Sequence, residues 1–404
     1  MDYILKPVEA LRSPEKPPLG EVLDELARIL REWRVKAIRE ANGIAARDDA
    51  ARLEALRLLG ARLAPIALGG GEAWADVDEL DPYWDLTPRP GRVYHGALDL
   101  LTGEWPTPLV RLRSLSRGGV RVWAKLEAFN PFSWSVKDRV GWALAAGYIE
   151  EEGRPPRLVY EATSTNTGMA LAGMAAIYGF KLRAYIPASI QRASDTLLAA
   201  MGAEVVRLPY SLTVESLDLV RREAERDGAV NLDQFNNDRN LMVHIRYTAR
   251  EIDYQARTAG LRLRGIIGGI GTSGHMSAIG FYHKHRSRGE TRIYCVQPAP
   301  GEKIPGIRRV ETGMKWIGLA KPDRIVDVTK SEAVEAVLSV ARREGLLVGL
   351  SSGAATAGFL KLLEEGLLED GDYIIVYPDN GLKYVEQIKA HLEGGGGGGL
   401  HHQG

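Results

Sequence analysis

The alternation of short apolar segments with helical segments, from residue 120 onward, limits this chain to one broad class of fold. Six apolar runs have the length and composition of strands: 158–160, 182–186, 203–206, 265–267, 293–296 and 373–377. Segments typical of helices lie between them, among them 168–178 and 196–201. Short strands that alternate with helices form βαβ units and mostly parallel sheets. The sequence therefore predicts an α/β protein.

The two ends of the chain differ from this central part. Apolar residues recur at helical spacing within 23–30, and a second helical run covers about 45–63. Passages rich in glycine and proline then lead into the central part. We predict a mainly helical N-terminal extension over 1–104 and a flexible, glycine-rich tail over 391–404. A histidine pair in the tail is interpreted as part of it rather than as a metal site.

Charge and cysteine content narrow the classes of partner. Lysine plus arginine equals aspartate plus glutamate, with 52 residues each, so no net charge attracts nucleic acid or an anionic membrane. The single cysteine, Cys295, lies in an apolar run that predicts a buried strand, and it has no partner for a disulfide. No uncharged apolar stretch reaches the roughly 20 residues of a membrane helix, and the acidic N-terminus is not a secretory signal. We expect a cytoplasmic protein without nucleic acid, membrane or metal as a partner.

A lysine stands where a helix is predicted to begin. The segment 130–139, here called the lysine loop, places Lys137 directly before the apolar run 140–144. The positive end of a helix dipole lowers the pKa of an amine. A lysine with a lowered pKa suits Schiff-base chemistry. The alternative is a surface lysine paired with Asp138, and the residues alone leave both interpretations open.

Three further loops lie next to predicted strands and helices, where ligands of open α/β sheets bind. The threonine loop, 161–168, has hydroxyls, an amide and backbone N–H groups that suit an anion, although a helix cap needs only one of them. The glycine loop, 268–275, suits a phosphate but departs from the Walker pattern, because His275 stands where that pattern needs lysine. The serine turn, 348–355, offers a hydroxyl for a heterocycle or serves packing alone.

These four segments, in this order, resemble the fold-type II pyridoxal-phosphate enzymes, and most closely the cysteine synthase and cystathionine β-synthase family. The resemblance runs from about 103 to 386. It includes three further motifs: Pro106-Thr107-Pro108-Leu109, Lys125-Leu126-Glu127 and Glu344-Gly345-Leu346-Leu347.

The resemblance implies two three-layer α/β domains with the cofactor, pyridoxal phosphate, in the cleft between them. The smaller, mobile domain would span 130–240. The larger would combine 105–129 with 241–390. A homodimer is typical of the family and is expected here.

The resemblance also implies roles for individual residues. Lys137 would bind the cofactor aldehyde and later act as the base on Cα, Asn166 would hydrogen-bond the phenolic oxygen, and Ser351 would face the pyridine nitrogen. The cofactor phosphate would be held by the glycine loop through Gly271, Thr272, Ser273, Gly274 and His275. The substrate carboxylate would be bound by Thr163, Ser164, Thr167 and Gln234.

The implied reaction is a β-replacement. Lys137 removes the Cα proton of a serine derivative, the β-substituent leaves to give an α-aminoacrylate, and sulfide adds at Cβ to form L-cysteine. A serine hydroxyl at the pyridine nitrogen does not force its protonation as a carboxylate would, which suits elimination.

Two departures from ordinary O-acetylserine sulfhydrylases concern the donor. This chain has Thr165 where they have glycine, and Ile-Pro-Gly-Ile-Arg-Arg at 304–309 where they have a Gln-Gly-Ile-Gly-type segment. Guanidinium groups match phosphate bidentately, and the arginines with the N-terminal extension resemble archaeal O-phosphoserine sulfhydrylases. We expect Arg308, rather than Arg309, to bind the phosphate of O-phosphoserine. The alternative is a surface arginine pair bonded to Glu311, with O-acetylserine as the donor.

Two other functions stay open at this stage. A cystathionine β-synthase would add homocysteine in place of sulfide at the same step. A non-catalytic relative would bind the cofactor or an amino acid as a sensor, but the presence of Lys137, Asn166 and Ser351 argues against it.

Overall fold

The computed structural model describes residues 92–394, which form two β-sheets with helices packed against them. The predicted N-terminal extension lies outside the described residues up to residue 91, and so does the predicted tail from residue 395. The division into two domains stays a prediction, although each sheet falls within the segments predicted for one domain.

The larger sheet has six strands in the order β1-β2-β9-β6-β7-β8. These strands are β1 Leu109–Arg111, β2 Val120–Leu126, β6 Leu263–Gly269, β7 Arg292–Pro298, β8 Arg324–Val328 and β9 Gly371–Tyr377. Strands β1 and β2 pair antiparallel, and every other pairing in this sheet is parallel. Strand β9 therefore lies between β2 and β6 and joins the two halves of the sheet.

The smaller sheet has three parallel strands in the order β3-β4-β5. These strands are β3 Leu158–Ala162, β4 Lys181–Pro187 and β5 Glu204–Leu208. Each of the six apolar runs predicted as strands overlaps a strand of one sheet or the other. The prediction of an α/β fold with mostly parallel sheets is confirmed.

Twelve α-helices connect and cover these strands in the described part of the chain. They are α1 Ala97–Gly103, α2 Lys137–Glu152, α3 Asn166–Tyr178, α4 Ala193–Ala200, α5 Leu217–Asp227, α6 Arg239–Val243, α7 Arg250–Thr258, α8 Gly274–Arg286, α9 Ile317–Ala320, α10 Lys330–Glu344, α11 Leu350–Glu364 and α12 Val385–Gly394. A π-helical segment, His244–Ala249, joins α6 to α7. The predicted tail began at residue 391, but α12 continues to Gly394. None of these helices is long and apolar enough to cross a membrane.

Helices cover both faces of the larger sheet, which makes three layers. Ile266 and Ile374 point to one face, into a core shared with α7 and α8. Ile267 and Ile375, one residue along each strand, point to the opposite face, into a core shared with α10 and α11. Parallel strands buried on both faces read as continuous apolar runs, as these do.

Cys295 in β7 is fully buried, as predicted, and burial raises the pKa of its thiol to about 12. A thiol with so high a pKa stays protonated and unreactive at neutral pH.

The smaller sheet packs against α2 and α3 in a further core, to which residues of α8 and of the π-helical segment also contribute. Val140 and Leu144 of α2 are buried in this core together with Leu171 of α3 and Ala184 of β4. Leu101 of α1 is buried in the same core, although the sequence analysis assigned α1 to the N-terminal extension. The helix that begins with Lys137 is thus held by packing along much of its length.

Candidate active site

Three of the four predicted loops meet at the carboxyl end of β9. The lysine loop contacts it where Val136 N–H donates to the Pro378 carbonyl at 2.8 Å. The serine turn contacts it where Gly349 N–H donates to the Asp379 carbonyl at 3.1 Å. The threonine loop contacts it through Asn166, whose Nδ2 donates to Asp379 Oδ2 at 2.8 Å. Ligands of parallel α/β sheets bind at such carboxyl ends of strands.

Lys137 is the first residue of α2, as predicted, and it is half-buried. Withdrawal from water lowers the pKa of its amine to about 8; Asp379 opposes this effect, and the positive charge of Lys383 adds to it. The lowered pKa was predicted from the helix dipole, but burial is the larger physical cause. An amine with this pKa is partly neutral near neutral pH and can act as a nucleophile or a base.

Asp138 does not serve as the partner of Lys137. Its carboxylate accepts the backbone N–H groups of Phe132 at 2.6 Å and Ser133 at 2.8 Å, and also the Ser133 hydroxyl. Asp138 is fully buried, and burial raises its pKa to about 6. Its role is to close the lysine loop in front of α2. The alternative of an exposed lysine paired with its neighbour does not describe this site.

The predicted substrate-binding residues of the threonine loop lie together. Thr167 Oγ1 donates to Gln234 Oε1 at 2.6 Å, and Gln234 Nε2 donates to the Ala162 carbonyl at 2.7 Å. Thr163 Oγ1 accepts the Gly168 N–H at 2.9 Å and so caps α3 from inside. Ser164 is half-buried at the tip of the loop.

A buried carboxylate that the sequence analysis did not single out holds the Gln234 segment in place. Glu161, at the end of β3, accepts the N–H groups of Asp233 at 3.0 Å and Gln234 at 3.1 Å. Burial raises the pKa of Glu161 to about 8, although these N–H groups act in the opposite direction.

The glycine loop fits a phosphate. Ser273 has a positive φ of 70° and directly precedes α8, and its buried hydroxyl has no hydrogen-bond partner among the described residues. His275 is buried, which lowers its pKa to about 3, so its ring is neutral; neither ring nitrogen makes a well-formed hydrogen bond within the described chain, although the Gly269 backbone lies beside it. A helix N-terminus with donors of this kind binds phosphate.

Close packing explains two glycines of this loop. A Cβ atom on Gly271 would clash with the Gly306 carbonyl oxygen, and one on Gly274 would clash with the Asn240 side chain. Asn240 Nδ2 donates to Thr272 Oγ1 at 2.9 Å and to the Gln234 carbonyl at 2.8 Å. The glycine loop is therefore tied to the segment that carries Gln234.

Ser351 lies in the first turn of α11 and is buried, with no direct hydrogen bond to the other predicted site residues. A Cβ atom on Gly306 would lie 3.7 Å from Ser351 Oγ, so Ser351 faces the segment that carries Arg308.

Arg308 and Arg309 have different surroundings. Arg308 is buried and donates to neutral oxygens only: Nε to the Gly271 carbonyl at 2.7 Å, and Nη1 to Thr312 Oγ1 and the Gly313 carbonyl, each at 2.7 Å. Arg309 pairs with Glu311 at 2.9 Å and with Asp327 at 3.0 Å. The alternative prediction was that both arginines lie at the surface and bond to Glu311. Of the two, only Arg309 bonds to Glu311.

The sequence analysis missed a buried polar cluster directly after β9. Asp379 accepts from Tyr384 Oη at 2.6 Å as well as from Asn166, and Lys383 makes a short contact with Asn166 Oδ1. The sequence could have indicated this cluster, because Asp379 comes just after the predicted strand 373–377, as the other loops come next to their strands. Ligands of parallel α/β sheets bind at the carboxyl ends of strands, and this principle would have identified Asp379 as a candidate site residue.

Comparisons with known proteins identify the family of this chain. The model of the family described as "Pyridoxal-phosphate dependent enzyme" matches residues 100–379. Cysteine synthase B of Escherichia coli (strain K12) is 33% identical over 289 residues, which cover 69% of this chain and 91% of that protein. Cystathionine beta-synthase of Saccharomyces cerevisiae is 31% identical over 330 residues, which cover 73% of this chain and 62% of that protein.

A solved structure gives the same result for the fold. The crystal structure of O-ureido-L-serine synthase has 27% identity and a TM-score of 0.66, and the match covers 76% of this chain and 98% of that one. The match to the family model and the identity to the curated relatives show the family and its cofactor, pyridoxal phosphate. The chain belongs to the pyridoxal-phosphate-dependent enzymes, in their cysteine synthase and cystathionine β-synthase branch.

Proposed function

We propose that this enzyme forms L-cysteine by replacing the β-substituent of a serine derivative with sulfide, and that the derivative is O-phospho-L-serine. The similarity to cysteine synthases supports the β-replacement. One observation carries the choice of donor: the buried guanidinium of Arg308 has no acidic partner in the described part of the chain.

In this proposal Lys137 moves the protons of the reaction. Pyridoxal phosphate, when bound, supplies an electron sink for the electrons left at Cα. The Lys137 amine takes the Cα proton, and the β-substituent leaves with the electron pair of its C–O bond. Hydrosulfide then adds at Cβ, and Lys137 returns the proton to Cα. A pKa lowered to about 8 suits an amine that must accept and return a proton near neutral pH.

The residues around the threonine loop hold the substrate carboxylate in this proposal. Thr163, Ser164, Thr167 and Gln234 contribute hydroxyl and amide groups. The contact between Thr167 and Gln234 and the closure of the loop by Thr163 keep these groups in one place before substrate arrives. A prearranged set of neutral donors binds a carboxylate with little reorganisation.

The charge of Arg308 supports an anionic ligand. A buried cation is costly unless a negative group compensates it. Carbonyl and hydroxyl oxygens accept hydrogen bonds from its Nε and Nη1 but leave its charge uncompensated, and burial lowers its pKa to about 10. A phosphate dianion would supply the missing negative charge.

The position of Arg308 also supports a ligand in the cleft. Its Nε donates to Gly271 in the glycine loop, and its guanidinium carbon lies 5.4 Å from the centre of the Phe235 ring. Phe235 follows Gln234, the predicted partner of the substrate carboxylate. Arg308 thus contacts the glycine loop, predicted to hold the cofactor phosphate, and the segment next to Gln234, and this supports the proposal that it binds the phosphate of phosphoserine.

The test compares two donors in matched variants. We expect Arg308→Ala to lower kcat/KM for cysteine formation from O-phosphoserine by at least about 30-fold, the lower end of the cost of removing one member of a buried charge pair. O-acetylserine has no phosphate, so its kcat/KM should fall much less. Arg309→Ala is the matched control, because that arginine already has acidic partners.

Equal losses with both donors in Arg308→Ala would overturn the choice of phosphoserine and leave the β-replacement intact. Turnover of O-acetylserine alone by the unaltered enzyme would do the same. No cysteine from either donor, with cofactor bound, would overturn the whole proposal.

The similarity to cystathionine beta-synthase favours a second candidate, in which homocysteine is the acceptor. The two candidates share every step up to addition at Cβ. Turnover of one donor with sulfide and with homocysteine at equal concentrations separates them, since the physiological acceptor should have the larger kcat/KM.

A further inference from the structure

A second lysine is buried beside Lys137. Lys383 is 4% exposed and lies in the 3₁₀ turn Gly381–Tyr384 that follows β9. Its amine donates to the Ser133 carbonyl at 2.7 Å and to Asn166 Oδ1 in a short contact, and it lies 3.4 Å from Asp379 Oδ2. No step described above uses this lysine.

The contacts of Lys383 define how the amide of Asn166 is turned. An ammonium group has only donors, so it can face the amide oxygen and not the amide nitrogen. The Asp379 carboxylate has only acceptors, and it takes one hydrogen of Asn166 Nδ2 at 2.8 Å. The two charged groups together allow a single orientation of the amide, in which Nδ2 is the donor end.

The same lysine ties two loops together. Ser133 belongs to the lysine loop, and Asn166 belongs to the threonine loop and is the first residue of α3. Lys383 hydrogen-bonds both, so it sets the position of Asn166 relative to Lys137. Asn166 is half-buried, whereas Lys383 and Asp379 are buried behind it.

We propose that Lys383 is a positioning residue that fixes the amide of Asn166 as a hydrogen-bond donor toward the cofactor. It acts through Asn166 and need not touch the cofactor. The inference rests on the cofactor of the family and not on the choice of phosphoserine, so either can fail without the other.

The first test measures cofactor binding rather than turnover. In Lys383→Met the amide oxygen of Asn166 loses its charged partner. We expect the dissociation constant for pyridoxal phosphate, measured by adding it to the cofactor-free protein, to rise about ten-fold or more. This is the typical effect of losing a hydrogen bond to a charged group. The visible absorption of the bound cofactor should also shift. Lys383→Gln keeps a donor for Asn166 Oδ1 and should recover most of the affinity. Lys361→Met, which removes the ion pair with Glu332 away from this cluster, is the control and should bind normally.

The second test asks whether Lys383 acts through Asn166. When Asn166 is already replaced by alanine, adding Lys383→Met should weaken cofactor binding further by less than about two-fold. The reason is that both changes remove the same interaction. An equal loss in both backgrounds would overturn the proposal, and so would unchanged affinity in Lys383→Met.

Thermal unfolding of the cofactor-free variants checks that they are folded. Lys383→Ala, which leaves room for water, takes the place of Lys383→Met if that protein does not fold. Failure of both to fold would identify Lys383 as a structural residue and overturn its role as a positioning residue.

Discussion

Arg139 binds Glu251 through two hydrogen bonds, from Nη1 to Oε1 at 2.6 Å and from Nη2 to Oε2 at 2.7 Å, and both side chains are fully buried. Arg139 also pairs with buried Glu127 at 2.6 Å, and Lys125 pairs with Glu251 at 2.7 Å. This buried ion network fixes the first turn of α2 to α7. The helix that carries Lys137 therefore begins from a rigid base.

Arg139→Met should be strongly destabilising. It leaves two buried carboxylates with one lysine between them, and the loss of one member of a buried ion network costs about 3–5 kcal/mol. The free energy of unfolding from urea titration measures the effect. Arg221→Met removes an exposed pair with Asp218, and its cost should be about 1 kcal/mol or less. Similar small changes in both variants would contradict the proposed importance of the network.

The pKa of Glu161 predicts how stability depends on pH. Because burial raises this pKa from 4.5 to about 8, the folded protein holds a proton that the unfolded chain releases. The resulting stabilisation is fully present below about pH 4.5 and is lost as pH rises through about 8. Glu161→Gln resembles the protonated acid and does not titrate. As pH is raised from about 4.5 to about 8, the unaltered enzyme should lose stability that Glu161→Gln keeps. We therefore expect the free energy of unfolding of Glu161→Gln to rise relative to that of the unaltered enzyme.

Urea titrations of both proteins at several pH values check this. Glu225→Gln, at an exposed position of α5, is the control and should follow the unaltered enzyme. A Glu161→Gln difference that stays constant with pH would show that the carboxyl remains ionised in the fold.

The lowered pKa of Lys137 predicts how fast the cofactor binds. Only a neutral amine reacts with the cofactor aldehyde, so the association rate with cofactor-free protein should rise with pH and level off above about 8. Stopped-flow absorption measures this rate. A midpoint near the ordinary lysine value of 10.5 would contradict the effect of burial. Lys137→Met should lack the reaction altogether.

Gly271→Ala should weaken the proposed site for the cofactor phosphate and the proposed site for the substrate phosphate together. The added Cβ would clash with the Gly306 carbonyl, so the segment that carries Arg308 must move away from the glycine loop. Overpacking of this kind costs about 1–3 kcal/mol. We expect weaker cofactor binding and a lower kcat/KM for O-phosphoserine. Gly318→Ala, where the added atom meets nothing within 4 Å, is the control. Normal cofactor affinity in Gly271→Ala would show that the loop adapts.

Local sequence signals located the loops but not the contacts between them. The run after Lys137 predicted the start of α2, and the apolar runs predicted the strands, because both depend on short-range periodicity. Lys383 was missed because its proposed role depends on a hydrogen bond to the Ser133 carbonyl, which is 250 positions away in the chain. The lowered pKa of Lys137 was predicted in the right direction from a local dipole, but its larger cause is burial by distant segments.

The two neighbouring arginines illustrate the same limit. Arg308 and Arg309 are equivalent in a sequence, and the reason to prefer one came from family resemblance. In the fold, one backbone step turns Arg309 outward to Glu311 and Asp327 and turns Arg308 inward to the glycine loop. Burial and charge compensation then separate them, and neither property can be read from the sequence.

The place of β9 between β2 and β6 has a consequence for the order in which this protein is made. During synthesis the lysine, threonine and glycine loops leave the ribosome well before Asp379. Until β9 emerges, β2 has no parallel neighbour, and no strand pairing connects it to the half of the sheet that carries the glycine loop. The nascent chain therefore has the predicted cofactor-binding loops before it has the strand that joins the two halves of the larger sheet. We expect chains that stop before residue 371, which lack β9, to be unable to retain the cofactor.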